Sequence, residues 1–359
     1  MELIKYIATR LLSGITVMVG VVLVIFFLFN IMPVNSARLT LGQRADVASV
    51  QAIEKEFRLN LSAPQRLLLY FNDLMPVSFH WLNDADAPSH LNPDEVKFIK
   101  LFTVGEVSVV VKQPYLGKSF QNRRPVSTLI AEKLFPTFML AVSAMVIASI
   151  LGVVLGTFAA VKQYTAWDNI ILVISTLGIS QPAQISGLII AMIFGYYFAD
   201  YTGLGVSGSL TTLDIDGEVI VWKNLILPAL ALGIRPISII TQLTRSSMLD
   251  ALSQDYIRTA KAKGLSRYQV IFKHALRNAM NPVVTSISGW LAALLTGAFL
   301  IESVFTYDGL GTLTINALKM FDFPVVMGAV LFVAFVFVVM NIFTDVLYSL
   351  LDPRVTVKA

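Results

Sequence analysis

Six stretches of the chain carry an apolar pattern long enough to cross about 30 Å of hydrocarbon as helices, which takes roughly 20 residues each. They are Leu11–Met32, about Pro136 to just before Lys162, a part of the uncharged run Asn169–Ala199, about Leu225–Thr244, about Val283–Ile301 and about Val325–Leu350. Pro182 interrupts the third. The apolar core of Leu11–Met32 is longer than the 7–15 residues usual in a signal peptide, so it reads as a retained span. This pattern predicts an all-α membrane protein with six transmembrane helices.

Between the first two spans lies a long segment of mixed charge, about Pro33–Phe135. In about Asp46–Leu74 the apolar positions Val50, Ile53, Phe57 and Leu61 have helical spacing. Farther on, Lys97–Thr103 and Glu106–Val111 predict a small hairpin around Gly105, the second run being rich in β-branched residues. Tyr201–Lys223, rich in glycine and aspartate, reads as a second loop on the same side. The organisation expected is 1–32 with the first span, 33–135 with an insert at about 75–115, a core over 136–350, and a tail over 351–359.

Composition agrees with the pattern. Of 359 residues 56% are hydrophobic and 14% charged, against roughly 25% charged in soluble domains. No cysteine is present, so neither disulfides nor thiolate metal sites enter the picture. The net charge of +4 matters less than its placement. Lys5, Arg10, Lys162, the cations between the fourth and fifth spans, Arg354 and Lys358 all fall on one side if both termini are cytoplasmic, as the positive-inside rule requires.

The densest of these clusters, Asp255–Pro282, has its own local logic. Gly264 stands where a short helix would end and where a left-handed residue is often needed. Ser266 and Gln269 have capping-box spacing, and Leu265 and Val270 the spacing of a hydrophobic staple. Tyr268, Ile271, Phe272, Ala275, Leu276 and Ala279 then predict one apolar face on a second helix. Two basic helices between spans make a docking surface. A basic helix lying on anionic lipid is the other reading, at about 1 kcal/mol per cation.

Catalytic chemistry finds little support. Gly117-Lys118-Ser119 resembles the end of a phosphate-binding loop, but that motif needs a glycine where Lys112 stands. His80, His90 and His274 lack the spacing of zinc ligands. No Gly-x-Ser-x-Gly elbow and no paired carboxylates within the spans are evident. Arg235 is the unusual group: it lies about ten residues into the fourth span between Gly233 and Pro236, where the helix is expected to bend. A charge at that depth faces a partner or a watery path, or it caps carbonyls freed by the bend. Gln181 and Gln184 around Pro182 are further lining candidates, although such side chains also hold helices together. Arg245 and Asp345, near the ends of their spans, could pair with each other or snorkel separately.

Several passages, in order, resemble the transmembrane subunits of ABC importers of the oligopeptide/dipeptide permease group. They are Leu116-Gly117-Lys118-Ser119-Phe120 ahead of Arg124-Pro125-Val126, Leu227-Pro228-Ala229-Leu230, Leu243-Thr244-Arg245-Ser246-Ser247-Met248-Leu249, and Asp255–Met280. Glu302-Ser303-Val304-Phe305 with Gly309-Leu310-Gly311, Phe323-Pro324-Val325-Val326 and Leu350-Leu351-Asp352-Pro353-Arg354 complete the series. The resemblance implies the type I importer fold, with a cytoplasmic coupling helix that inserts into an ATP-hydrolysing subunit. Tyr256, Arg258, Thr259, Ala260, Lys261, Lys263, Gly264 and Leu265 would make that contact. The family's general Glu-Ala-Ala triplet is Arg258-Thr259-Ala260 here, which argues against a catalytic glutamate in the loop.

The implied partners are a second homologous permease, two cytoplasmic ATP-binding subunits and an extracytoplasmic solute-binding protein, besides membrane lipids. ATP and Mg would be bound by the partners and no cofactor by this chain. No nucleic acid is implied. The cargo would be a peptide or peptide-like solute carried by alternating access; glutathione, a nickel complex or an antimicrobial peptide are alternatives within the group. A self-contained channel or ion-coupled transporter would instead call for several acidic or histidine residues in the spans, and a membrane enzyme for a site.

Overall fold

The computed structural model describes residues 2–31, 55, 58–84, 87–91, 93, 96–214 and 217–351. In chain order the elements are α1 (Glu2–Ile31), α2 (Ala63–Leu74), β1 (Val77–His80), β2 (Phe98–Val104), β3 (Val107–Lys112), α3 (Val126–Val161), α4 (Ala166–Ser180) and α5 (Ala183–Ile190). A π-helical turn, Ala191–Tyr197, extends α5 and leads to α6 (Ala199–Thr202). Then follow β4 (Thr211–Asp214), β5 (Gly217–Ile220), α7 (Lys223–Leu252), α8 (Asp255–Ala262), a second π turn at Gln269–Ala275, α9 (Leu276–Val304), α10 (Leu310–Lys319) and α11 (Phe323–Leu351). The protein is mostly helical, but the two small sheets correct the all-α expectation.

Among the described residues three helices are long and apolar enough to span a membrane: Val126–Val161, Lys223–Leu252 and Phe323–Thr344 within α11. The number rises to five if each of two bent pairs is one span, and Leu12–Leu28 is a shorter apolar stretch within α1. α3 begins ten residues before Pro136 and carries that proline inside it, so Pro136 is not a start. At Pro182 the chain turns by 114° between Ala166–Ser180 and Ala183–Tyr197, much more than an interruption of one straight span. α7, by contrast, continues through both Pro228 and Pro236 without a break.

The residues form two compact units. One comprises 1–16, 133–315 and 333–359. Its centre is α7, packed against α9, α4 and α5. Gly152 and Gly156, four apart on α3, meet α7 so closely that a Cβ on Gly156 would lie 2.5 Å from the Thr241 carbonyl oxygen. Small residues at such spacing let helix backbones approach in the membrane.

The other unit comprises 17–132 and 316–332. Its sheet has the order β1-β3-β2, all antiparallel. The expected hairpin around Gly105 is present within a residue of its predicted bounds. β1 was not foreseen. Of the helix expected over Asp46–Leu74, α2 (Ala63–Leu74) is the part described as a helical element; Val50, Ile53 and Phe57 lie outside the described residues, and Leu61 falls in the turn before α2. Tyr201–Lys223 holds the β4–β5 hairpin rather than a plain loop.

Gly117-Lys118-Ser119 is a structural turn in this unit. Asp322 accepts from the buried Ser119 hydroxyl and, at 2.9 Å, from the Phe120 amide. Gln121 donates its side-chain amide to the Met320 carbonyl at 2.9 Å. The motif thereby ties two passages about 200 residues apart, which explains its residue types without a phosphate.

Candidate functional site

The basic turn is built by two local locks. α8 ends in a Schellman arrangement: Leu265 N donates to Ala260 O at 3.3 Å and Gly264 N to Lys261 O at 3.0 Å. Gly264 takes φ +76°, the left-handed conformation glycine adopts at no steric cost. Next, Ser266 N donates to Gln269 Oε1 at 3.1 Å while Gln269 N donates to Ser266 Oγ at 3.3 Å, a full capping box. The chain leaves one helix and enters the next with its direction fixed.

The inner side of the turn is a small apolar core. Ile257 and Ala260 of α8 pack with Met248 and Ala251 of α7, Ala160 of α3, and Val270, Ala275 and Ala279 at the entry to α9. Leu265 packs against the same cluster. The expected docking residues therefore divide. Tyr256, Arg258, Thr259, Lys261, Lys263 and Gly264 are exposed, Leu265 is half-buried, and Ala260 is buried. Arg258 meets Asp255 at 3.4 Å, both exposed, a pair of little energetic weight.

The second basic helix is not a separate element. It runs through the π turn directly into α9. Five-residue spacing there buries Val270 and Ala275, so the predicted apolar face is corrected: Tyr268 and Phe272 point outward, 70% and 47% exposed. Their rings lie 4.7 Å apart. A basic surface thus carries a paired aromatic knob.

Beside the turn, Arg245 grips Asp168 at the start of α4 in a fork, Nε to Oδ1 at 2.6 Å and Nη2 to Oδ2 at 2.8 Å. Asp168 also accepts from the Tyr164 amide at 3.0 Å. Among the described side chains the partner of Arg245 is Asp168; Asp345, suggested as a partner from the sequence, has its side chain outside the described ones.

Arg235 sits on an exposed face of α7. Among the described residues it makes no hydrogen bond or ion pair, so it caps no carbonyls there. Ile239, Gln242, Ser246 and Asp250 continue the same face at helical spacing and are half-buried or exposed. Gln242 reaches the exposed Thr176 of α4 at 3.4 Å, and Gly178 packs on Ile234 and Ser238. This antiparallel register brings Gln181, exposed at the bend, to within about a turn of the level of Arg235. Gln184, half-buried, starts α5 just beyond.

Sequence reasoning missed Glu302. This acid, with no exposed surface, takes Thr137 Oγ1 at 2.6 Å on one oxygen. The other accepts the amides of Gly311 at 2.7 Å and Thr312 at 3.2 Å. Thr137 Oγ1 accepts the Leu310 amide at 2.8 Å, and Tyr307 donates its hydroxyl to Pro136 O at 3.0 Å. Gly311 must be glycine, because a Cβ would fall 2.3 Å from Phe299 Cα. The carboxylate pins α3, α9 and the start of α10 together. Its signal was the acid followed at seven and nine residues by glycines.

Two family models match the chain. The binding-protein-dependent transport system inner membrane component matches residues 152–357, and the N-terminal part of such membrane components matches residues 3–90. The chain belongs to this family.

It is accordingly a transport permease subunit rather than an enzyme, and a multi-pass protein of the inner membrane. The permease is 32% identical to the glutathione transport system permease protein GsiC of Salmonella typhimurium strain LT2, over 99% of this chain and 100% of that protein. It is equally similar to the GsiC protein of Escherichia coli O6:H1, with the same identity and coverage. A protein of Brucella suis biovar 1 named as a peptide permease is 33% identical over 99% of this chain and 100% of its own length. Among solved structures, an amino acid ABC transporter with histidines aligns at a TM-score of 0.42 and 16% identity, over 64% of this chain and 95% of that one. That likeness is too loose to carry an argument.

Proposed function

We propose that this permease is one of two homologous membrane subunits of an importer for peptide-like solutes, driven by two cytoplasmic ATP-binding subunits that bind ATP and Mg. A solute-binding protein delivers cargo from outside. Six spans per subunit, both termini cytoplasmic and the 33–135 segment outside complete the arrangement.

The observation that carries this reading is the two-sided build of α8. Its outer side presents Tyr256, Arg258, Thr259, Lys261 and Lys263, while Ile257 and Ala260 on its inner side join the ends of α7 and α3 and the start of α9. A push on the outer side is transmitted to those helices as a unit, since packed cores shift between arrangements rather than deform continuously. When the ATPases close, α8 moves, and α7 carries the Arg235 face with it. That face, with Gln181 and Gln184 near the Pro182 bend, lines the path toward the second permease. An arginine there attracts the carboxylate that peptides carry. The GsiC and Brucella names fit such a cargo, glutathione being itself a tripeptide.

Glu302 does not favour an ion-coupled alternative, because both of its oxygens are already occupied by fixed donors. Purification from the native membrane tests the assignment. The expected co-purified set is a second permease and two ATPases, with Glu106→Cys labelled by an impermeant thiol reagent from outside and Ser266→Cys only after permeabilisation. A chain that purifies alone and moves solute without ATP would contradict it.

A further inference from the structure

The sheet of the 17–132 unit has one entirely apolar face. Register places Val77 and Phe79 of β1, Val107, Val109 and Val111 of β3, and Ile99, Phe102 and Val104 of β2 on the same side. Opposite, Ser78, His80, Ser108, Val110 and Lys112 are buried beneath it. A bulge at Leu101 in β2 keeps Phe102 and Val104 on the apolar side. Five of the eight are largely open: Val77 at 49%, Phe79 at 57%, Ile99 at 69%, Phe102 at 56% and Val104 at 67% exposed. Contiguous apolar surface of this kind outside the hydrocarbon marks an interaction site.

Three occupants can be weighed. Lipid is a poor one, because β2 is an edge strand and unpaired backbone groups are not tolerated in hydrocarbon, whereas at β1 the Phe79 backbone is already met by the Asn72 side chain. A solute-binding protein docks and leaves repeatedly, and transient contacts are more polar than permanent ones. This face offers no charge and no hydrogen-bonding side chain. Its exposed area, on the order of 500 Å², also falls short of the roughly 800 Å² per partner of a free-standing interface. It suits a neighbour already held beside it by other contacts.

We infer that this face of the β1-β3-β2 sheet packs against the extracytoplasmic part of the second permease subunit. The inference rests on the two-permease arrangement proposed above. It gives the 75–115 insert a role in holding the subunit pair rather than in meeting cargo.

The test uses the assembled transporter in its membrane, with a photoreactive benzoylphenylalanine in place of Phe79 or Phe102, and in place of Thr103 on the opposite face as control. Irradiation should join the first two, and not the third, to the second permease, identified by mass spectrometry. In parallel, Phe102→Cys should react with a water-soluble maleimide about tenfold more slowly in the complex than in the chain expressed without the second permease, as in the dry centre of an interface. Lys100→Cys should react equally in both. Adducts with the binding protein, with lipid, with another copy or within the chain would overturn the inference, as would equal labelling of Phe102→Cys in both states. Absence of any second permease from the complex would instead remove the arrangement on which it rests.

Discussion

Arg245 and Asp168 join α7 to the first turn of α4 through two parallel contacts at 2.6 and 2.8 Å, with Asp168 only 1% exposed. Removing the arginine strands a buried carboxylate. Arg245→Ala should therefore destabilise the permease by about 3–5 kcal/mol, the cost of breaking a buried pair. Arg245→Lys should recover only part, because lysine keeps the charge but not the fork. The double variant Arg245→Ala/Asp168→Ala should be less destabilised than the sum of the singles. Thermal unfolding of the solubilised complex reads all of these, and strict additivity would show that the pair does not couple.

Gly264 isolates a backbone requirement. At φ +76° an added Cβ meets nothing within 4 Å, so a substitution there costs conformation rather than contact. A β-branched Gly264→Val should cost roughly 1–2 kcal/mol locally and loosen the α8 end, whereas Gly264→Asn should be milder. The expected result is normal membrane insertion with ATP hydrolysis no longer coupled to uptake in the valine variant. Equal coupling in wild type, valine and asparagine variants would show the turn to be irrelevant to coupling.

How much of this was readable in advance follows from range. The Gly264 turn and the Ser266–Gln269 box involve residues within five positions of one another, and the sequence marks them directly. The Arg245–Asp168 pair spans 77 residues, and no local pattern singles out Asp168 over Asp345. The π turn at Gln269–Ala275 shifts the buried face by a residue, which a 3.6-residue period cannot anticipate. That is why the sequence pattern places Tyr268 and Phe272 inward and the structure turns them out. The β2–β3 hairpin was legible from alternation around Gly105. The eight-residue apolar face was not, since it needs β1 in register. Gly152-x-x-x-Gly156 in an apolar stretch is a local sequence mark of the close contact between α3 and α7.

His80 supplies a pH test in the 17–132 unit. Burial pushes its pKa below the ordinary value of 6.5, opposed in part by its hydrogen bond with the Ser89 carbonyl and by the negative charge of Asp73, while the charges of Lys112 and Arg58 add to the lowering. In the fold its Nδ1 faces Ser89 O at 2.9 Å and its Nε2 faces Ser78 Oγ at 3.0 Å, an arrangement suited to the neutral ring. The unfolded segment then binds more protons, so this contribution is complete above about pH 6.5 and is lost as pH falls below it. The protection of amides in β1 and β3, taken relative to the intrinsic exchange rate at each pH, should fall between about pH 7.5 and pH 5.5, and His80→Gln should flatten that dependence. Unchanged pH dependence in the variant would assign it to another group.

Arg235 should act on the cargo rather than on the scaffold, because it is exposed and makes no bond within the described residues. Arg235→Gln should lower uptake of a free peptide severalfold while leaving assembly and stability near wild type. The loss should be smaller for the same peptide amidated at its C-terminus, and Arg235→Lys should restore part of it. Equal slowing of both cargoes, or less assembled complex, would place Arg235 in the scaffold.

The most direct test of the account asks whether the exposed side of α8 meets the ATPases or merely anionic lipid. The complete transporter is reconstituted in purely zwitterionic vesicles, and ATP-driven uptake of a short peptide is measured for wild type and for Arg258→Glu/Lys261→Glu/Lys263→Glu. The account predicts full uptake by wild type without anionic lipid. It also predicts loss of uptake, of ATPase stimulation and of bound ATPase subunits in the variant. Wild-type uptake that requires anionic lipid, or a variant that keeps its ATPases and transports normally, would contradict it.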